Sequence, residues 1–94
     1  MTYGIDELQA LAAAGDMDAL FDLGLVYSNG RDGIEADLIE AHKWFNLAAL
    51  NGNAEAQECR ADVAEIMTAR EIAEAQRRAR SWLVLTAERE RVAA

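Results

Sequence analysis

The step Gly15-Asp16-x-Asp18-Ala19 returns as Gly52-Asn53-x-Glu55-Ala56, 37 residues further along the chain. At the same spacing Ala12 and Gly24 fall on Ala49 and Ala61, so small residues recur with small residues. Glu40-Ala41 is echoed by Glu74-Ala75 at a spacing of 34, because the second connection between helices is shorter. A period of about 30 to 45 residues with two helices per unit marks an α-solenoid, in which no unit buries its apolar face alone. The expected fold class is therefore all-α, a solenoid fragment of about five antiparallel helices.

The punctuation agrees. Proline is absent, and the glycines fall almost entirely between segments of helical periodicity. A lead-in helix runs from Ile5 to Ala14 with Leu8, Leu11 and Ala12 on one stripe, and stops at Gly15. Asp16 stands at the N-cap position of a second helix carrying Leu20, Leu23, Gly24 and Tyr27. Asn29-Gly30 and Asp32-Gly33 break it. Asp37 and Glu40 have the spacing of a capping box before a third helix with Ala41, Trp44, Phe45, Ala48 and Ala49. Asn53 caps a fourth helix, and Thr68 with Glu71 opens a fifth whose stripe is Ile72, Ala75, Ala79, Trp82 and Leu83. The expected layout is one domain over 1–94: a lead-in at 5–15, one repeat at 16–52, a degenerate repeat at 53–83 and a helical tail at 84–94.

These residues resemble the Sel-one-like repeats, a tetratricopeptide-like family. The resemblance rests on Ala19, Leu23-Gly24, Tyr27, Gly30, Gly33-Ile34, Asp37, Ala41, Trp44, Ala48-Ala49 and Gly52, which stand at the family's spacing. It implies that Gly24, Ala41 and Ala48 let two helices approach closely, with Tyr27 and Trp44 filling the space between them. The second unit resembles the C-terminal unit of short bacterial members, with Met67-Thr68 followed by Ile72-Ala73-Glu74-Ala75-Gln76. The function implied is that of an adaptor that binds protein partners, without catalytic machinery. A secreted branch of the family carries a disulfide in each repeat, and the lone Cys59 sets this chain outside it.

Charge narrows the partners. The net charge is −8, which argues against nucleic acid and against an anionic membrane surface. It is unevenly spread: residues 1–66 hold 13 acids and 3 bases, residues 67–94 hold 4 acids and 6 bases. The first residues, Met1 to Glu7, lack the basic and apolar regions of a signal peptide, and a single cysteine suits a reducing compartment, so the expected location is cytoplasmic.

Nothing in the sequence assembles an active site, and no cofactor is expected. His42 is the only histidine and has no ligand set at helical spacing, so it reads as a surface or half-buried residue. Cys59 has no base beside it and reads as a packing or passive thiol. The Asn29–Gly33 loop fails as a calcium loop, because Ser28, Gly30 and Ile39 fall where carboxylates are needed.

Two surfaces remain. Glu55, Glu58, Asp62 and Glu65 are spaced 3, 4 and 3 apart, placing four carboxylates on one face of the fourth helix. The resemblance implies that the first helix of each repeat lines a concave surface, so Asp18, Phe21, Asp22 and Leu25 would join them. That surface reads either as a groove for a basic or amphipathic partner segment or as an ordinary solvated face. Trp82, Val84 and Leu85 lie in a run of four apolar residues that one buried stripe cannot cover. They read either as a contact with a second copy or a partner or as a cap on the open end of the repeats; the alternative function is a structural homo-oligomer assembling through the C-terminal helix, a possible homodimer.

Overall fold

Helix α1 spans Ile5–Ala13, α2 Met17–Asn29, α3 Leu38–Leu50, α4 Ala54–Glu65 and α5 Ala69–Ala93. The computed structural model describes residues 3–31 and 33–93; Asp32 of the Asn29–Gly33 loop and the terminal residues Met1, Thr2 and Ala94 lie outside them. Among the described residues there is no strand, only an isolated bridge between Arg31 and Ile34.

The helix starts follow from side-chain oxygens that accept otherwise unpaired backbone N–H groups. The Asp16 carboxylate accepts from the N–H of Asp18 at 3.0 Å and of Ala19 at 3.3 Å. Asn53 Oδ1 accepts from Ala56 N–H at 2.9 Å. Thr68 and Glu71 form a complete capping box, Thr68 Oγ1 accepting from Glu71 N–H and Glu71 Oε1 from Thr68 N–H. The box expected at Asp37 is only half made. Asp37 Oδ1 accepts from Glu40 N–H at 3.1 Å, but the Asp37 N–H donates to the Tyr27 carbonyl at 2.7 Å. The Glu40 side chain is thereby free for α5.

The repeat is visible in the backbone. Asp16 N–H donates to the Leu11 carbonyl and Asn53 N–H to the Ala48 carbonyl, both pairs displaced by the period of the sequence. Gly15 and Gly52 supply the left-handed step between, with φ of 102° and 90°. The α1–α2 turn and the α3–α4 turn are thus the same turn, and α1 takes the place before α2 that α3 takes before α4.

Helix α2 packs on α1 and α3, and α3 packs also on α4 and α5. With neighbours on three sides, α3 buries Ala41, His42, Trp44, Phe45, Leu47, Ala48 and Ala49. The sharpest approach is at Gly24, where a Cβ would overlap the Cδ1–Cε1 edge of the Phe45 ring. Phe45 is the nearest neighbour there; the Trp44 ring instead stands edge-on to Trp82 of α5, with centroids 5.6 Å apart.

Gly24→Ala is therefore expected to destabilise, although alanine in a helix interior is worth about 1 kcal/mol over glycine. Gly24→Val is expected to cost roughly 2–4 kcal/mol in urea unfolding. In a Phe45→Leu background both penalties should shrink. An alanine variant more stable than the parent would place the contact elsewhere.

Candidate partner-binding surface

Helix α4 is polar on most of its circumference. It buries Ala56 and Val63, and Arg60 ties it to α3 by donating to Asn46 Oδ1 at 2.6 Å. Glu55, Glu58, Asp62 and Glu65 lie on the far side, all exposed, and none forms an ion pair among the described residues. Cys59 senses them: burial first, then the charges of Glu55, Asp62 and Glu58, push its thiol pKa up. A thiol so placed stays protonated at neutral pH, the opposite of what a nucleophile needs.

On α2, Asp18, Asp22 and Leu25 are exposed, Leu25 at 36%. Burial, then Asp18 and Asp16, raise the pKa of Asp22, while Arg31 draws it down. Phe21 is half-buried. Its ring tilts on Phe45 with centroids 5.8 Å apart, so it packs on α3 and presents only part of its surface outward. Each helix thus carries its own acidic stripe. Both helices lean on α3 far more than on each other.

The Sel1 repeat profile matches residues 18–53, the segment holding Gly24, Trp44 and the Gly52 turn. Those residues are similar to the Sel1 repeat. No curated protein and no solved structure matches the chain significantly. Sel1 repeats generally mediate protein–protein interaction and are generally non-enzymatic.

His42 lies deeper than its sequence environment indicates: it is 4% exposed on α3, and its Nδ1 has no hydrogen-bond partner among the described residues. Burial, then the Arg60 guanidinium, lower its pKa below 6.5. Among the described residues no group of three or more His, Cys, Asp or Glu is placed to hold a metal ion. Among them, too, no helix is long and apolar enough to cross a membrane.

Sequence reasoning missed one network behind the repeat. Arg78 of α5 donates to Glu40 of α3 at 2.8 Å and to Glu74 at 2.7 Å, and Arg77 makes two bonds to Glu74. Hydrogen bonds from Arg77 and Arg78 hold the Glu74 pKa down to about 2. Lys43 bonds Glu40 and lies 4.2 Å over the Trp44 ring. The i,i+4 spacing of Glu74 and Arg78 was a readable signal; the step to Glu40 is long-range and was not. Of the C-terminal candidates, Trp82 is half-buried on Trp44, whereas Val84 and Leu85 are 58% and 60% exposed.

The histidine gives a pH dependence. Its folded pKa lies below its unfolded one, so the unfolded chain binds the extra proton and stability falls as pH drops through about 6.5 and below. Thermal melts should show a lower midpoint at about pH 5.5 than at about pH 7.5. His42→Gln should flatten that difference. The effect of Glu74 lies in a separate window, lost only as pH falls from 4.5 toward about 2. A wild-type midpoint equal at both pH values would mean that His42 accepts a proton without cost.

Proposed function

We propose that the chain is a non-catalytic adaptor whose acidic, partly apolar face on α2 and α4 holds a basic or amphipathic segment of a partner protein. The observation that carries this is the α4 stripe. Glu55, Glu58, Asp62 and Glu65 stand exposed on one face without internal counter-charges among the described residues. Neighbouring like charges on a helix destabilise it, so a stripe of four needs a compensating interaction or bears the repulsion. Leu25, together with the outer part of Phe21, offers apolar area on α2 beside Asp18 and Asp22. An Arg- or Lys-bearing amphipathic segment matches both features, and the protein-binding role of Sel1 repeats accords with it. The setting that suits a half-buried free thiol is a reducing one, such as the cytoplasm.

Apolar contacts at the centre of an interface dominate affinity, while exposed charges chiefly govern association rate and salt dependence. Calorimetric titration with a basic amphipathic helical peptide should therefore give an affinity that weakens as salt rises. Leu25→Ala is the clean probe, because Phe21→Ala also removes a contact with Phe45. It should weaken binding about five- to tenfold without moving the melting temperature. Glu58→Lys should chiefly slow association. Equal binding of an acidic peptide of the same length, or indifference to both substitutions, would overturn the proposal.

A further inference from the structure

We propose that α5 of one copy is itself such a basic segment, and that the chain self-associates by laying the outer face of α5 on α4 of a second copy in antiparallel register. This rests on the reading of the acidic face given above and names its occupant.

Among the described residues, the outer face of α5 packs on no other helix. Its inner stripe, with Ala75, Ala79 and Trp82, is turned to α3. On the opposite side Arg70, Ala73, Arg77 and Arg80 recur at spacings of 3, 4 and 3, and Val84, Ala87 and Arg91 continue the same alternation. Every one of these positions is exposed. A stripe at this spacing is one seam of a helix, the geometry that packs against a second helix. The seam is basic. Arg70 and Arg80 form no ion pair among the described residues, and Arg77 shares Glu74 with Arg78.

The complementary seam is on α4. Reading away from the 66–68 turn in both directions, Glu65, Asp62, Glu58 and Glu55 fall at the same steps as Arg70, Ala73, Arg77 and Arg80. An antiparallel α4–α5 pair therefore sets Glu65 against Arg70, Glu58 against Arg77 and Glu55 against Arg80, with Asp62 opposite the small Ala73. At 1.5 Å per residue both seams are about 15 Å long, so the register holds along their length and opposite charges meet at three of its four levels. The pairing cannot form within one chain. Both helices bind α3 through their inner faces, and both seams point away from it. A second copy satisfies both. Two reciprocal contacts close a dimer, and one contact per copy builds an open chain.

Exposed ion pairs are individually weak, and each copy carries a net charge of −8 that opposes approach. The association should therefore be seen at protein concentrations on the order of 100 µM, and should fade as salt rises. Sedimentation equilibrium of the full chain over roughly 10 µM to 1 mM tests it with two charge-reversed variants. One carries Arg70→Glu and Arg80→Glu, the other Glu55→Arg and Glu65→Arg. Wild type should grow in mass with concentration, and each variant alone should stay monomeric. Their equimolar mixture should associate at least as well as wild type, because every reversed charge then meets its opposite. That rescue also shows that both variants fold. A monomeric wild type, variants that associate unaided, or a mixture that stays monomeric would overturn the proposal. If wild type is monomeric yet still binds the basic peptide, the inference about α5 falls and the acidic face stands. If it does neither, both fall.

Discussion

The contact of the Phe45 ring with the bare backbone of Gly24 fixes how close α2 and α3 come, and the rest of the structure is arranged around α3. A helix enclosed by α2, α4 and α5 must be apolar or small on nearly all sides. Alanine at 41, 48 and 49 keeps the neighbours near, while Trp44, Phe45 and Leu47 supply the volume. Such enclosure has a cost. Among the described residues the Nδ1 of His42 and the Nε1 of Trp44 are buried without a partner, each a deficit of about 1–3 kcal/mol by the usual measure of unsatisfied polar groups. Both sit on α3, where three layers of packing leave little room to turn a side chain toward a partner.

Charge is sorted by the same helix. Two carboxylates at the α3–α5 contact are paired: Glu40 with Lys43 and Arg78, and Glu74 with Arg77 and Arg78. Those on the outer faces of α2 and α4 are not drawn into this network. The partition follows from where the arginines are. Residues 67–94 hold 6 of the 9 bases, and only the inner edge of α5 reaches α3. Arg78 sits on that edge and binds Glu40, whereas Arg70 and Arg80 sit on the other side. The expected capping box at Asp37 is only half made for a related reason. Asp37 N–H closes on the Tyr27 carbonyl, and Glu40 becomes an anchor for α5.

Much of this was legible in the sequence because it is local. Caps at Asp16, Asn53 and Thr68, and glycine turns at 15 and 52, depend on residues within five positions of one another, and period and capping chemistry locate them directly. The stripe of α5 inward at Ala75, Ala79 and Trp82 is likewise a matter of spacing. What depends on packing across helices was not legible. Phe45 rather than Trp44 meets Gly24, Trp44 turns to Trp82, and Phe21 is half-covered by Phe45. Adjacent aromatics on one helix point about 100° apart, so a modest rotation of α3 decides which faces which neighbour. The burial of His42 belongs to the same class. Its flanks, Ala41 and Lys43, carry no trace of the helices packed on either side.

The thin apolar face of α4 links these points to function. Only Ala56 and Val63 are buried on it, its N-terminus depends on Asn53, and Arg60 fastens it to Asn46. Against this the neighbouring pairs Glu55–Glu58, Glu58–Asp62 and Asp62–Glu65 repel, together by roughly 1 kcal/mol in exposed helices. A helix with so little apolar area and a built-in repulsion is stabilised by any cation laid along its outer face. Binding there would add to the free energy holding α4 on α3, by the same mass-action linkage that makes any ligand of the native state stabilising. Helix α5, by contrast, is anchored through Trp82 and Arg78, and on its outer seam Arg70 and Arg80 form no ion pair among the described residues. A partner laid along the acidic helix would add to its order, while the basic helix is already held on α3 by Trp82 and Arg78. Opposite charge on two helices that share a support but face away from it is a reason for contact between chains rather than within one.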